Sequence, residues 1–151
     1  MYSNLTESKT IYLADDDADD CILFEEALKE LIVKTLLTIT NDGIELLNTL
    51  DERVPPPPYV IFLDLNMPGK SGFDALKEIR EIEKLKDIPV VIFSTTSNSE
   101  TIDRTFRLGA NYYICKPTNF SHLKNAIQNV LSLDRKQLEN QPSRNQFVMI
   151  A

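Results

Sequence analysis

The 151-residue sequence lacks any apolar run approaching the ~20 residues that a transmembrane helix requires. Its first ten residues, MYSNLTESKT, are polar and do not resemble a signal peptide. Only two cysteines are present, Cys21 and Cys115, and they lie far apart, without the spacing of a metal-binding motif. We therefore expect reduced, mostly buried thiols in a cytoplasmic protein.

Positive charge is also scarce in this sequence. The chain has 16 Lys and Arg against 23 Asp and Glu, which gives a net charge of −7. An acidic chain is a poor general binder of nucleic acid or of anionic membranes, so we expect neither among its partners. The hydrophobic content of 42% and the length suit one globular domain with a sizeable core.

Five short apolar runs, rich in β-branched and aromatic residues, predict five strands. The runs are IYLA (11–14), LLTIT (36–40), VIFL (60–63), VVIF (90–93) and YYIC (112–115). Four of them are nearly continuous rather than alternating. Such runs are typical of strands buried on both faces, as in a parallel sheet.

Segments with helical periodicity separate and follow these runs. The predicted helices span 19–33, 43–50, 72–83, 100–108 and 120–133. In the first helix, the residues expected near the buried face are Ile22, Leu23, Ala27 and Leu31. Strict alternation of strand and helix, five times over, predicts an α/β fold with a doubly wound parallel sheet and right-handed crossovers.

Helix-start signals agree with this alternation. Ser97, with Glu100 three positions later, has the pattern of a capping box for the fourth helix. Asn41 or Asp42 can cap the second helix.

Polar residues follow four of the predicted strands, where each strand ends. They are Asp15, Asp16 and Asp17 after the first strand, Asp64 and Asn66 after the third, Ser94 at the end of the fourth, and Lys116 after the fifth. Doubly wound sheets bind ligands at the carboxyl ends of their strands, so we expect these side chains at one rim. Carboxylates suit Mg²⁺, and an ammonium suits a phosphoryl oxygen. The set predicts a site for a phosphoryl group bound through a divalent cation.

Taken together, these motifs resemble the response regulator receiver domain, the phosphoacceptor half of two-component signalling. The residues that carry the resemblance are the pair Asp15–Asp16, LDLNMPGKSG around Asp64, Ser94, and YYICKP with Tyr113, Lys116 and Pro117. The resemblance covers about residues 10 to 133. It implies a flavodoxin-like (βα)5 fold with strand order 2-1-3-4-5, and a receiver domain over residues 1–133.

The resemblance also implies a role for each matching residue. Asp64 is the expected phosphoacceptor, and Lys116 and Ser94 are expected to contact the phosphoryl oxygens. The expected Mg²⁺ ligands are the side chains of Asp15, Asp16 and Asp64 and the backbone carbonyl of Asn66. Ser94 and Tyr113 are the expected switch residues, and the Lys116–Pro117 peptide bond is expected to be cis.

A stand-alone receiver is the function that these residues predict. The segments LDLNMPGKSGFDALKEI, STTS and KPTNF are similar to small receivers that partner phytochrome-type histidine kinases. The resemblance implies phosphorylation by a sensor histidine kinase and no turnover of an outside substrate. It also implies output through protein contacts, including a homodimer on the face of the fourth helix, fifth strand and fifth helix. The sequence does not name the downstream partner.

Other classes of protein fit the sequence less well. A haloacid-dehalogenase-type phosphatase would need an aspartate at the position of Asn66. A flavodoxin-like electron carrier would need a glycine- and hydroxyl-rich phosphate loop where this chain has aspartates. The alternative that stays open is a receiver-like interaction module that works without phosphate, although such a module would be expected to lack Asp64 or Lys116.

Three further features receive a structural interpretation. Asp17, Asp19 and Asp20 are expected to cap the first helix, where carboxylates meet free N–H groups and the positive end of the helix dipole. His122 is expected to be a surface residue without a role in phosphoryl transfer. Thr95 has two open interpretations, as a residue that narrows access to Asp64 or as a packing residue.

The carboxyl-terminal stretch 134–151 is expected to extend the fifth helix and to contain no separate output domain. Pro142 must break that helix. The apolar end, QFVMIA, is prone to aggregate when exposed, so we expect it to pack on its own domain or on a second copy.

Overall fold

A single five-stranded parallel sheet organises residues 8–149, the part of the chain that this computed structural model describes. The strands are β1 Lys9–Ala14, β2 Thr35–Thr40, β3 Val60–Leu63, β4 Val90–Ser94 and β5 Tyr112–Cys115. Their order in the sheet is β2-β1-β3-β4-β5. The doubly wound fold and the strand order predicted from the sequence are confirmed. Most of the polar amino-terminal stretch and the last two residues of QFVMIA lie outside the described range.

Seven helices surround the sheet in the described range. They are α1 Ala18–Lys29, α2 Gly43–Arg53, α3 Gly72–Glu81, α4 Ser99–Arg107, α5 Phe120–Leu131, α6 Arg135–Glu139 and α7 Arg144–Phe147. None of the helices within residues 8–149 is long and apolar enough to cross a membrane.

The central strands are buried on both faces, which explains their continuous apolar sequence. All four residues of β3 are buried. Phe62 of this strand packs edge-on against Phe24 of α1, with ring centroids 5.0 Å apart. Leu63, the next residue along the strand, points to the opposite face and belongs to the core beneath α2 and α3.

Side chains at predicted positions cap two of the helices. Asp17 caps α1 by accepting hydrogen bonds from the backbone N–H groups of Asp19 and Asp20, and Asp42 caps α2. The fourth helix differs from the prediction, because its cap is Asn98 rather than Ser97. The amide oxygen of Asn98 accepts two N–H groups of the first turn, which begins the helix one residue later than the capping-box pattern indicates.

The buried face of α1 also differs from the prediction. Ile22 and Leu23 are 58% and 47% exposed, whereas Cys21, Phe24, Ala27 and Leu28 are buried. Phe24 fills the space against the aromatic rings of β3 and β4. This packing rotates Ile22 and Leu23 toward solvent, since neighbours on a helix lie about 100° apart.

The carboxyl-terminal stretch is not an extension of the fifth helix, and this part of the prediction is wrong. Helix α5 ends at Leu131, and Asp134 begins a new helix, α6, with a capping box to Gln137. At this reversal the Tyr59 hydroxyl donates a hydrogen bond to the Leu133 carbonyl, and Arg135 Nη1 donates one to the Pro58 carbonyl at 3.1 Å. Residues 134–149 then fold back onto their own domain.

The Lys116–Pro117 peptide bond is trans, so the expectation of a cis bond is wrong. Within the described residues the cis bonds are Val54–Pro55 and Pro55–Pro56, in the proline-rich loop before β3. The trans preference of an X-Pro bond is only 0.5–1 kcal/mol, so the surrounding contacts rather than the sequence decide the isomer.

Asn111 ties the carboxyl-terminal stretch to the edge of the sheet. Its buried side-chain oxygen accepts hydrogen bonds from the backbone N–H of Val90, at 2.9 Å, and from Arg80 Nη2, at 2.8 Å. Its side-chain nitrogen donates to the carbonyl of Leu138 in α6, at 2.8 Å. One amide therefore links the start of β4, the end of α3 and the folded-back chain.

We expect Asn111→Ala to lower the free energy of unfolding by about 2–3 kcal/mol, because it leaves buried donors and an acceptor without partners. Urea unfolding measures this loss. The exposed Asn145 of α7 provides the matched control, and Asn145→Ala is expected to change stability by less than ~0.5 kcal/mol. Equal effects of the two substitutions would show that the Asn111 network does not hold the chain in place.

Candidate functional site

Backbone hydrogen bonds between neighbouring strands continue one residue past the ends of the strands. They place the polar side chains that follow the strands at one rim. The Asp15 N–H donates to the Thr40 carbonyl at 3.0 Å, and the Asp64 N–H donates to the Ala14 carbonyl at 2.9 Å. The Lys116 N–H donates to the Ser94 carbonyl at 2.8 Å. Asp15, Asp64 and Lys116, far apart in the chain, therefore meet at the carboxyl edge of the sheet, as predicted.

Lys116 lies at the centre of this rim. Its Nζ atom is 2.8 Å from Asp15 Oδ2 and 3.4 Å from Asp64 Oδ2, and its side chain is only 10% exposed. Burial alone would lower the pKa of Lys116, but its hydrogen bonds to Asp15 and Asp20 and the charge of Asp64 raise the pKa above its ordinary value. The ammonium therefore keeps its charge at neutral pH.

The Asp64 carboxylate has one oxygen fixed and one turned to the lysine. Oδ1 accepts a hydrogen bond from the Leu65 N–H at 2.8 Å, which leaves Oδ2 facing Lys116. Burial raises the pKa of Asp64 to about 6, and the nearby charge of Asp15 adds to this rise, while Lys116 and the N–H groups of Leu65 and Asn66 oppose it. At neutral pH, Asp64 is therefore mostly ionised.

Three carboxylates form the acidic side of the rim. Ligand oxygens of Asp15, Asp16 and Asp64 all lie within 4.8 Å of one another, with Asp16 exposed and the other two buried. A set of oxygen donors with one side open to solvent fits a hard divalent cation that keeps several waters, such as Mg²⁺. Asn66 lies two residues after Asp64 in the adjoining loop and is exposed.

The Thr96 peptide group connects the two expected switch residues. Ser94 is buried, and its Oγ accepts a hydrogen bond from the Thr96 N–H at 3.3 Å. Tyr113 is also buried, and its hydroxyl donates to the Thr96 carbonyl at 2.8 Å. Both side chains therefore bond to the same residue in the loop after β4.

Two residues at the site were missed by sequence reasoning. Asp20, predicted only as a helix-start residue, also reaches Lys116, with Oδ2 2.8 Å from Nζ. Gly72 packs so closely that a Cβ atom there would lie 2.1 Å from the Asp64 carbonyl oxygen. The LDLNMPGKSG motif contains this glycine, but only the packing of α3 on the loop shows why a side chain is excluded.

The remaining predictions concern one threonine, the histidine and the two cysteines. Thr95 is exposed, so it is not a buried packing residue. His122 is exposed in the first turn of α5, in agreement with its interpretation as a surface residue. Cys21 and Cys115 are free thiols. Burial raises the pKa of Cys21 to about 11, which keeps this thiol protonated.

A family model described as the response regulator receiver domain matches residues 11–128. The chain belongs to the response regulator receiver family. This receiver is also 34% identical over 128 residues to the response regulator Rcp1 of Synechocystis sp., a match that covers 82% of this chain and 87% of that protein.

Solved structures agree with the receiver fold. The phosphorylated cyanobacterial phytochrome response regulator RcpA superposes with a TM-score of 0.76 at 34% identity, over 82% of this receiver and 91% of that chain. The Mn²⁺-bound form of Rcp1 superposes with a TM-score of 0.74 at 33% identity, over 89% and 99%. The three carboxylates of this receiver are an appropriate donor set for such a divalent cation.

The raised pKa of Asp64 predicts a stability that depends on pH in the metal-free receiver. Because the folded-state pKa is about 6 and the ordinary value is 3.8, the folded protein holds more protons between these values. The contribution of Asp64 to the free energy of unfolding should therefore fall as the pH rises from about 4 to about 6. Asp64→Asn removes the titrating group and with it this loss of stability. The substitution should therefore stabilise the receiver at pH 7 by at most ~3 kcal/mol.

Urea unfolding in EDTA between pH 4 and pH 8 tests this expectation. Glu52→Gln, at an exposed position of α2, is a charge-matched control that should keep the same pH dependence as the wild type. A stability difference between wild type and Asp64→Asn that does not change with pH would contradict the assignment of a raised pKa to Asp64.

Proposed function

We propose that this receiver accepts a phosphoryl group on Asp64 from a sensor histidine kinase. The observation that carries the proposal is the orientation of the Asp64 carboxylate, with one oxygen held by the Leu65 N–H and the other 3.4 Å from the Lys116 ammonium. In the transfer, Asp64 Oδ2 forms the new O–P bond while the N–P bond of the phosphohistidine breaks. The imidazole leaves with the electron pair of that bond.

Positioning and charge neutralisation account for most of the catalysis in phosphoryl transfer. Asp15, Asp16 and Asp64, with the backbone carbonyl of Asn66, would hold Mg²⁺, which when bound offsets the negative charge of the phosphoryl oxygens. Lys116 supplies a further positive charge 3.4 Å from Asp64 Oδ2. The proposed activity is limited to the receiver's own phosphorylation and its hydrolysis, with no outside substrate.

The surface beside the site suits a protein as the phosphoryl donor. Ile22 and Leu23 of α1 are exposed apolar residues, and Leu23 lies about one turn after Asp20 at the rim. Phytochrome response regulators are among the structural relatives of this receiver, which supports a phytochrome-type histidine kinase as the donor. The cytoplasmic location expected from the sequence agrees with such a partner. It stays a prediction.

Acetyl phosphate with Mg²⁺ should add one phosphoryl group and raise the intact mass by about 80 Da. Asp64→Asn should abolish this gain, because an amide is not a nucleophile of this kind. Asp19→Asn, in the same acidic region but exposed, should keep the gain. Intact-mass spectrometry measures the gain for each variant. A gain of mass that survives Asp64→Asn would show that another residue is the acceptor.

A receiver-like module that works without phosphate would show no gain of mass in this experiment. The ion pair between Lys116 and Asp64 argues against such a module, since neither residue would need to be kept at the rim for protein contacts alone.

We propose that Ser94 and Tyr113 transmit the phosphorylation through Thr96. A phosphoryl oxygen on Asp64 offers Ser94 Oγ a new partner, and turning toward it releases the Thr96 N–H. The carbonyl of the same residue accepts the hydroxyl of Tyr113, so a change in the loop alters the packing of the tyrosine. The local charge is thereby converted into a change of shape at β5.

The folded-back chain forms part of the proposed output face, which comprises α4, β5 and α5. Phe147 is buried, with its ring centroid 5.1 Å from that of Phe106 and 6.1 Å from that of Tyr113. The Met149 N–H donates to the Tyr113 carbonyl at 2.9 Å, so the chain pairs with the outer edge of β5. A homodimer through this face, as proposed from the sequence, must include or displace residues 144–149.

We expect Phe147→Ala to destabilise the receiver by about 3–5 kcal/mol and to change its dimer affinity, because it opens a cavity beside Tyr113. The yield of phosphorylation at Asp64 should stay the same, since Phe147 contacts the output face rather than the rim. Thermal melts, analytical ultracentrifugation and intact-mass measurement test these three points. Asn145→Ala in the same helix is the control, and a lost phosphorylation in folded Phe147→Ala would contradict the separation of rim and output face.

A further inference from the structure

Lys116 has a carboxylate partner outside the set that the proposed function uses. Its Nζ atom lies 2.8 Å from Asp20 Oδ2, as close as it lies to Asp15 Oδ2 and closer than it lies to Asp64 Oδ2, at 3.4 Å. Lys116 and Asp20 lie 96 residues apart in the chain, so only the fold brings them together.

The start of α1 fixes the position of Asp20. The Asp20 N–H donates to Asp17 Oδ1 at 3.1 Å, and the neighbouring Cys21 Sγ lies 3.5 Å from the Asp15 carbonyl oxygen, to which it donates. The first turn of α1 is thereby attached to the loop that carries Asp15. The Asp20 side chain is 34% exposed, so it reaches the buried lysine from the solvent side.

Asp15 and Asp20 differ in what else they can bind. One oxygen of Asp15 belongs to the acidic group with Asp16 and Asp64. Asp15 Oδ1 also accepts the Asp17 N–H at 2.9 Å, and Oδ2 lies 2.8 Å from Lys116 Nζ. A cation in that group therefore competes with Lys116 for Asp15. Asp20 is outside the group and stays available to the lysine.

We propose that Asp20 is a positioning residue that draws Lys116 toward the solvent side of the rim and so competes with a phosphoryl oxygen on Asp64 for the lysine ammonium. This inference rests on the proposed function and adds a determinant of how tightly the receiver holds its phosphoryl group. The Asp20 carboxylate weakens the capture of a phosphoryl group in two ways. It occupies one donor of the ammonium, and its negative charge repels the incoming anion.

Beryllofluoride, a phosphoryl mimic, tests the inference when it is titrated into the full-length receiver at saturating Mg²⁺. Asp20→Asn should bind it roughly fivefold more tightly, as expected for the loss of one competing ion pair. Acetyl phosphate should also phosphorylate this variant faster, by a similar factor. Asp20→Glu keeps the charge and should return the affinity to within about twofold of the wild type.

Asp19→Asn is the matched control, because Asp19 lies in the same helical turn and is exposed, and Lys116 makes its ion pairs with Asp15, Asp20 and Asp64. The two substitutions remove the same charge from the same end of α1. The difference between Asp20→Asn and Asp19→Asn should persist in 1 M KCl, where the Debye length is only about 3 Å, because the Asp20–Lys116 contact is direct.

Equal affinities for Asp20→Asn and Asp19→Asn would overturn the inference, as would a difference that disappears in 1 M KCl, because either result shows that the direct contact with Lys116 has no effect of its own. Asp20→Ser removes the same charge with a smaller side chain and must agree with Asp20→Asn, which guards against misfolding of one variant. A wild-type receiver that takes up neither beryllofluoride nor a phosphoryl group would overturn the proposed function itself. Normal loading of the wild type with no effect of Asp20→Asn would overturn the role of Asp20 alone.

Discussion

The contact between the Lys116 ammonium and the carboxylates around it is the interaction on which the rim depends. Carboxylates from Asp15, Asp20 and Asp64 come within 3.4 Å of its Nζ atom. Two carboxylates about 4 Å apart repel by roughly 4 kcal/mol at an effective dielectric constant near 20, so the crowded acids need a cation among them. One lysine offsets part of this repulsion but leaves the cluster with a net negative charge. Binding of a divalent cation there is therefore still favourable.

The same sheet connects this rim to a second, apolar region at the edge strand β5. Lys116 follows the strand and faces the carboxylates, while Tyr113 within the strand packs against Phe147 of the folded-back chain. An edge strand exposes unpaired backbone groups, and the pairing of Val148 and Met149 with Tyr113 satisfies the carbonyl of this residue. The terminal stretch thus packs on the edge strand and contacts Tyr113, the residue proposed to move.

Local features of the fold followed from the sequence because they depend on residues close together in the chain. The continuous apolar runs are typical of buried parallel strands, and Asp42 could be recognised as a helix cap from its place before an amphipathic segment. The meeting of Asp15, Asp64 and Lys116 was also predictable, since the carboxyl ends of parallel strands share one edge. The receiver motifs added the proposed roles of these residues, which no geometric argument from the sequence supplied.

Features that depend on packing between distant segments could not be obtained in this way. Leu23 and Phe24 are both apolar, and only the aromatic cluster on β3 and β4 decides that Phe24 is buried and Leu23 exposed. The reversal of the chain after α5 depends on contacts with the proline-rich loop, and the reach of Asp20 to Lys116 depends on how α1 is set against the end of β5. By itself the sequence determined the strands and their alternation with helices, because these depend on local patterns of apolar residues. It also determined the acidic rim, because polar residues follow the strands and the carboxyl ends of parallel strands share one edge. The tertiary structure alone decided the rotation of α1, the path of the terminal stretch and the partners of the lysine, because each is a competition among surfaces that are far apart in the chain.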